Sequence, residues 1–270
     1  MEVWQNGYWQ LPDATNRLFG SLAFQYGFGV FETLLVREGF PADLDDHIQR
    51  MLQSIQTLDA AAFCPLDARQ LKENILLALR NRQAEKEVLK ITAYREADRW
   101  SFLFALRPYP YNELHYKQGF SLTKSTYLRN PHSFLVYHKT MNYLENYVER
   151  QAALCAGYTD AYFLNPDGIV TECTSANLFI VLQGELITSP VTSGMLPGTM
   201  RKKLLLKANE MGVTARERPI CPEMMKKAEA VIVTNALYGA MPVFKVDAIN
   251  YPVNPVFIQR LNEVLGRGMD

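Results

Sequence analysis

The sequence predicts a mixed α/β (α+β) protein divided into two domains. β-like runs alternate with segments whose apolar residues recur every three to four positions, and they do so throughout the chain. The stretch Arg107-Pro108-Tyr109-Pro110-Tyr111-Asn112 interrupts that pattern with a pair of prolines. A chain of 270 residues is long enough for each half to bury a core. The expected division is a smaller N-terminal domain over residues 1–112, a linker over 113–118 and a larger C-terminal domain over 119–270.

Composition narrows the function classes. At 48% hydrophobic and 21% charged the chain is an ordinary globular protein. Lys+Arg and Asp+Glu both count 28, so a formal net charge of zero argues against a nucleic-acid partner. The short basic cluster Arg201-Lys202-Lys203 falls on a helix and is expected to be a solvated face. No run approaches the ~20 apolar residues of a membrane span, and the N-terminus lacks a basic-then-apolar leader; a cytoplasmic protein is expected. Cys64, Cys155, Cys173 and Cys221 lie far apart, and the histidines show no H-E-x-x-H spacing, so no metal is expected. Internal repeats and low-complexity segments are absent from the sequence.

In the first half, Asn6-Gly7 joins two short β-like pieces. Gly27-Phe28-Gly29 opens a β-rich run through Phe31 that ends in the hairpin signal Arg37-Glu38-Gly39-Phe40; a lone G-x-G is weak evidence of anything more than a turn. A helix begins near Leu44, capped by Asp45 or Asp46, with Ile48, Met51, Leu52 and Ile55 on one side. Arg50 on that helix is either solvated, paired with Asp46, or a phosphate ligand through its two-pronged guanidinium. A second helix runs from Asp67 to about Arg82 with Leu71, Ile75, Leu76 and Leu79 aligned. Residues 87–94 and 100–107 then read as paired strands around a turn that holds Arg95 and Arg99.

In the second half, residues 119–124 read as a strand. The apolar run Ser133-Phe134-Leu135-Val136-Tyr137 reads as another, followed by a helix with Met141, Leu144, Tyr147, Val148 and Leu154 as its apolar positions. Lys139 sits at that junction. Most lysines are simply exposed, but a flexible primary amine is also what a Schiff base with a carbonyl cofactor requires. A strand over 160–164 meets the turn Asn165-Pro166-Asp167-Gly168. Glu172 follows in an uncharged neighbourhood, either as an exposed strand glutamate or as a buried one that needs a partner such as a protonated ring nitrogen. The glycine-bearing turn 193–198 leads into a helix at Thr199 and Met200, whose free amides suit a phosphate. Residues 230–243 read as a buried strand whose end, at Asn235 and Ala236, offers further amides.

Taken singly, each signal has a plainer explanation, but their order matches one family. Gly27 to Thr33, His47-Ile48-Gln49-Arg50-Met51, Lys139-Thr140-Met141-Asn142-Tyr143, Val170 to Phe179, Gly198-Thr199-Met200-Arg201, and Asn235-Ala236-Leu237 with Met241-Pro242-Val243 resemble the class IV pyridoxal-phosphate enzymes. These are the branched-chain aminotransferases, D-amino acid aminotransferases and aminodeoxychorismate lyases. The resemblance implies fold type IV, with pyridoxal 5'-phosphate in a cleft between two α/β domains, a small-molecule amino substrate, and a homodimer. It implies that Lys139 carries the cofactor and is the catalytic base, that Glu172 faces the pyridine nitrogen, and that Arg50, the amides of Thr199 and Met200, and the Asn235-Ala236 turn hold the phosphate. Phe28 departs from the Gly-Asp-Gly-x-Phe pattern of many members.

Within the family, compact length, the Lys139-x-x-Asn142 spacing and the Asn235-Ala236-Leu237 segment followed by Met241-Pro242-Val243 look like 4-amino-4-deoxychorismate lyase, which releases pyruvate and 4-aminobenzoate for folate synthesis. Phe31-Glu32-Thr33 and Leu196-Pro197-Gly198 look instead like an aminotransferase acting on L-amino acids with a 2-oxo acid acceptor. Trp100 and Ser101 stand where an Arg-x-His pair would mark a D-amino acid enzyme. Arg95 and Arg99, with Phe31, are the candidates for meeting the substrate, against the plain reading of the arginines as solvated turn residues. A cofactor-binding paralogue without activity is the remaining alternative.

Overall fold

The computed structural model describes residues 3–5, 8–10, 20–60 and 67–268. The chain divides into two compact units, Met1–Tyr109 with Lys139–Tyr143, and Pro110–His138 with Leu144–Asp270. The division is therefore not a single cut near residue 112. A five-residue segment bearing Lys139 belongs to the first unit, and residues 113–118, expected to be a linker, form a helix of the second.

In the first unit, β1 (Val3–Gln5) and β2 (Tyr8–Gln10) pair antiparallel; the Asn6-Gly7 turn lies outside the described residues. Helix α1 (Leu22–Tyr26) starts where Ser21 Oγ accepts the Phe24 amide at 3.1 Å. β3 (Gly29–Arg37) and β4 (Phe40–Pro41) form the expected hairpin, with Glu38 and Gly39 at φ of 49° and 82° in the turn. α2 (Leu44–Leu58) is preceded by Asp43 in a left-handed conformation without a side-chain cap, and Asp45 and Asp46 sit in its first turn, where they favour the helix dipole. α3 (Ala68–Leu79) starts on a capping box between Asp67 and Gln70. β5 (Lys86–Arg95) and β6 (Trp100–Pro108) pair along their whole length.

The sheet order is β4-β3-β5-β6. Strand alternation sends Val30, Leu34, Val36, Leu89, Ile91, Ala93 and Trp100 to one face, where they pack with Ile48, Met51 and Ile55 of α2 and Leu71, Ile75 and Leu79 of α3. Each such side chain contributes about 1.5–3 kcal/mol on burial. Leu76, expected in this stripe, is exposed. The register places Phe31, Thr33, Lys90 and Thr92 together on the opposite face.

In the second unit, α4 (Glu113–Gln118) is capped by Asn112, and buried Tyr116 donates to the Tyr238 carbonyl at 3.0 Å. β7 (Phe120–Leu128) follows. Residues Phe134–Tyr137 form a short 3-10 helix, not the expected strand. On α5 (Leu144–Cys155) the buried positions are Asn146, Glu149 and Ala153, while Leu144, Tyr147, Val148 and Leu154 point outward. The remaining elements are β8 (Asp160–Leu164), β9 (Val170–Cys173), β10 (Asn177–Leu182), β11 (Glu185–Thr188), α6 (Thr199–Lys207), β12 (Ala215–Glu217), α7 (Pro222–Lys226), β13 (Ala230–Asn235), β14 (Gly239–Val246), β15 (Ile249–Asn250) and α8 (Pro255–Leu265). The single strand expected over 230–243 is thus the hairpin β13-β14.

The sheet runs β12-β11-β10-β13-β14-β7-β8-β9, and β9 also pairs with β10. The strands from β10 round to β9 therefore close on themselves. Leu122, Leu178, Ile180, Ile232 and Val233 join Leu204 of α6 and Ile258, Leu261 and Leu265 of α8 in one core. Arg201 is buried rather than solvated, and its Nη2 donates to the Ser189 carbonyl at 2.7 Å. Among the described residues no helix is long and apolar enough to cross a membrane.

Candidate functional site

In the first unit the segment around Lys139 is laid along β3 as a short extra strand. The Phe31 amide donates to the Lys139 carbonyl and the Met141 amide to the Gly29 carbonyl, both at 2.8 Å, around a bridge between Val30 and Thr140. Gly27 and Gly29 explain why this is possible. A Cβ on Gly29 would collide with Met141 Sδ, and one on Gly27 would come within 2.6 Å of Asn142 Oδ1; Asn142 in turn donates to the Gly27 carbonyl at 3.1 Å. The glycine pair is thus more than a turn: it admits the backbone that carries the amine.

Lys139 Nζ lies 4.5 Å from the Phe31 ring centroid and 5.2 Å from that of Tyr143, and the two rings meet edge-on at 5.2 Å. The amine is thus flanked by aromatic faces, which favour a cation while limiting water.

On the helix-covered side of β3, Glu32 is buried and gripped from α2. Arg50 donates through Nε to Oε1 at 2.8 Å and through Nη2 to Oε2 at 2.6 Å, and His47 Nδ1 lies 2.6 Å from Oε2. Burial alone would raise the Glu32 pKa, but the charges and hydrogen bonds of Arg50 and His47 outweigh it and hold the carboxyl at about 2. Arg50 is therefore not solvated; Glu32 fixes its guanidinium plane, and the nearby Asp46 charge also favours its charged form. His47 Nε2 is buried with no hydrogen-bond partner among the described residues.

In the second unit Glu172 is buried in β9 at the seam, where it pairs across the backbone with Asn177 of β10. It accepts the Leu196 amide at 3.2 Å, and Arg129 Nε stands 3.6 Å from its other oxygen. Arg129 is itself held over the Phe163 ring at 3.8 Å and donates to Glu145 at 3.1 Å. Asn177 donates to the Leu196 carbonyl at 3.1 Å, so one loop is tied to both residues of the seam just before α6. Gly198 is the N-cap of α6 and makes no side-chain cap; its Cβ would land on Asn177 Oδ1. The Thr199 and Met200 amides open this helix and have no acceptor within it. Asn235 Nδ2 donates to the Ser175 carbonyl at 3.4 Å, while its Oδ1 accepts the amides of Leu237 and Tyr238 at 3.0 and 3.1 Å. Glu172, Thr199, Met200, Asn235 and Ala236 are therefore grouped at one end of the closed strands.

The strand-turn arginines are engaged elsewhere. Arg95 Nε donates to Asp59 at 2.8 Å, and Arg99 Nε to Glu96 at 3.0 Å. Phe28 packs edge-on against Trp100 at 5.5 Å, a hydrophobic use of a position that is acidic in many relatives. Glu32, His47 and Arg129 are site neighbours that sequence reasoning missed. Glu32 had a signal, since alternation puts it on the apolar face of β3; Arg129 had none.

The sequence matches the family described as Amino-transferase class IV over residues 29–246. The chain belongs to the class IV aminotransferases. Enzymes of this family depend on pyridoxal phosphate, and the chain is an enzyme of this kind, an aminotransferase or a lyase. It is 27% identical over 234 residues to D-alanine aminotransferase of Bacillus licheniformis, covering 83% of this chain and 81% of that protein. The crystal structure of 4-amino-4-deoxychorismate lyase from Pseudomonas aeruginosa superposes with a TM-score of 0.80 at 27% identity, over 90% of this chain and 93% of that one. Branched-chain aminotransferase from Thermoproteus uzoniensis, solved with norvaline, gives 0.84 at 24% identity over 99% and 95%, a likeness of fold. The class IV architecture is thus the fold expected from the sequence.

Proposed function

We propose that this class IV enzyme binds pyridoxal 5'-phosphate and acts as a 4-amino-4-deoxychorismate lyase, releasing pyruvate and 4-aminobenzoate. The observation that carries the cofactor assignment is Lys139 locked to β3 with its amine flanked by Phe31 and Tyr143. The donor chemistry fits the group: an amine for covalent attachment, a buried carboxylate for the ring nitrogen, an arginine with a fixed plane and a helix start stripped of side chain at Gly198 for the phosphate. When bound, the cofactor supplies a carbonyl that condenses with amines and a ring that takes up electrons from the neighbouring carbon.

In this reading Lys139, released by the incoming amine, moves the proton at the substrate carbon next to nitrogen. Glu172, steadied by Arg129 and the Leu196 amide, keeps the ring nitrogen protonated. Arg50, Thr199, Met200, Asn235 and Ala236 hold the phosphate. The lyase assignment is supported by the Lys139-x-x-Asn142 spacing and by the β13-β14 hairpin that carries Asn235-Ala236-Leu237 and Met241-Pro242-Val243. The alternative is an aminotransferase on L-amino acids, favoured by Phe31-Glu32-Thr33. Coupled assays separate them. A lyase forms pyruvate from aminodeoxychorismate with no acceptor, whereas an aminotransferase turns over only when a 2-oxo acid is supplied. A yellow protein inactive in both assays would be the inactive paralogue.

The exposed apolar residues Leu144, Tyr147 and Val148 of α5 support a homodimer, for which sedimentation should return twice the 30.8 kDa chain mass.

A further inference from the structure

We propose that Arg267 is a positioning residue for the cofactor phosphate, setting the turn after β13 so that the Ala236 amide is left to donate to an anion. The assignment rests on the function proposed above, which gives that turn to the phosphate. Within the turn, Asn235 Oδ1 accepts the amides of Leu237 and Tyr238 at 3.0 and 3.1 Å. The Tyr238 carbonyl accepts the Tyr116 hydroxyl at 3.0 Å, and the Ala236 carbonyl accepts Arg267 Nε at 3.2 Å. The planar peptide unit joining Ala236 to Leu237 is therefore held at both ends, its oxygen by Arg267 and its N–H by Asn235. Asn235 is fixed in turn by its pairing with Gly239 where β13 meets β14. Between these two fixed points, the Ala236 amide meets no acceptor among the described residues.

The plain explanation for an arginine just past a helix is that its charge favours the C-terminal end of the dipole. Arg267 does serve α8 in that way, with Nη1 donating to the Gly266 carbonyl at 3.3 Å. That role needs only an exposed cation, whereas Arg267 is buried, at a cost that the dipole alone does not require. The surroundings are also shaped for the contact with the turn. Gly266 ends α8 in a left-handed conformation, and the Arg267 amide turns back to the Asn262 carbonyl at 2.7 Å. Gly239, at φ of 71°, makes room on the other side, since a Cβ there would stand 2.9 Å from both Cβ and Cγ of Arg267. Asn262, in the last turn of α8, accepts the Ala240 amide and donates to the Ala240 carbonyl, both at 2.8 Å. One helix end thus grips the start of β14 through Asn262 and the turn before it through Arg267.

The test is to strip the full chain of cofactor with hydroxylamine and titrate it, by absorbance, with pyridoxal 5'-phosphate and with phosphate-free pyridoxal. Met and Gln have equal reach at position 267, but Gln keeps an N–H where Nε stands and Met puts a methyl group there. Arg267→Met should weaken binding of the phosphate form about 10–100-fold and leave pyridoxal unchanged, while Arg267→Gln stays near the wild type for both. Arg267→Lys keeps the charge but places carbon at the Nε position; it should fall with Met, and it decides the matter if Arg267→Met does not fold. Asn254→Ala removes the cap at the other end of α8, where Asn254 accepts the Phe257 amide at 3.0 Å, and should loosen the helix without altering the preference for the phosphate form. If Arg267→Met and Arg267→Lys weaken both ligands alike, or neither, Arg267 only supports the fold; the proposal falls and the proposed function stands. A selective loss shared by Asn254→Ala or Arg267→Gln overturns it too, since a loosened helix or a lost charge is then the cause. A wild type that binds both forms equally overturns the proposal together with the phosphate contacts, and one that binds neither overturns the proposed function itself.

Discussion

Glu32 and Glu172 are both strand carboxylates, both buried, and both beside an arginine, yet they are held differently. Glu32 is pinned by bonds of 2.6 to 2.8 Å from Arg50 and His47 on one helix. Glu172 rests at 3.2 Å from a loop amide and 3.6 Å from Arg129. A short, multiply bonded carboxylate is a brace that sets the plane of its arginine. A carboxylate held at longer range keeps acceptor strength for a partner of another kind. Under the proposed function, the difference would set a stabilising acid apart from one that serves the chemistry.

If the proposed function holds, the largest effect is expected at the Lys139 amine. Lys139→Ala should lower turnover by about 10³-fold or more, and borohydride should no longer attach cofactor to protein; a mutant still labelled would place attachment at another lysine. Glu32→Gln should cost about 3–5 kcal/mol in denaturant unfolding, because it strands a buried arginine. Glu172→Gln should reverse the balance, with unfolding shifted by about 1 kcal/mol and turnover down about 10²-fold. Equal stability losses for the two glutamine variants would erase the distinction drawn here.

The acid limb sharpens it further. With the Glu32 carboxyl held at about 2 against 4.5 in the unfolded chain, its stabilisation is present above the unfolded value and is lost as pH falls from about 4.5 towards 2. The loss is on the order of 3 kcal/mol, and Glu32→Gln should abolish that part of the pH dependence of unfolding. Smallest is Asp67→Ala, which removes the capping box of α3 for about 1 kcal/mol and should leave turnover unchanged, since it touches neither acid.

Much of the scaffold was legible because local signals agreed. The β5-β6 hairpin carries strand residues on both sides of a polar turn, and α3 opens on an Asp-x-x-Gln cap. Other features depend on what the chain meets later. Phe134 to Tyr137 is apolar enough for a strand, and only tertiary context makes it a single helical turn. The stripe Leu144, Tyr147, Val148 and Leu154 reads as marking a helix, which α5 is, but these residues are exposed, since periodicity reveals a face and not what covers it. In the candidate site, the order of motifs pointed to Lys139 and Glu172, whereas the strap geometry on β3, the His47 contact and Arg129 come from residues distant in sequence that no spacing rule connects.

Because the segment Lys139–Tyr143 belongs to the first unit while its flanks belong to the second, the polypeptide passes from one unit to the other three times. A gene truncated after Tyr109 would encode Arg50 and the aromatic floor without the amine, and the complementary piece would bear the amine without its strand. Neither half is a transplantable module, so recombining halves from two such enzymes at the proline break would exchange the lysine and its support independently.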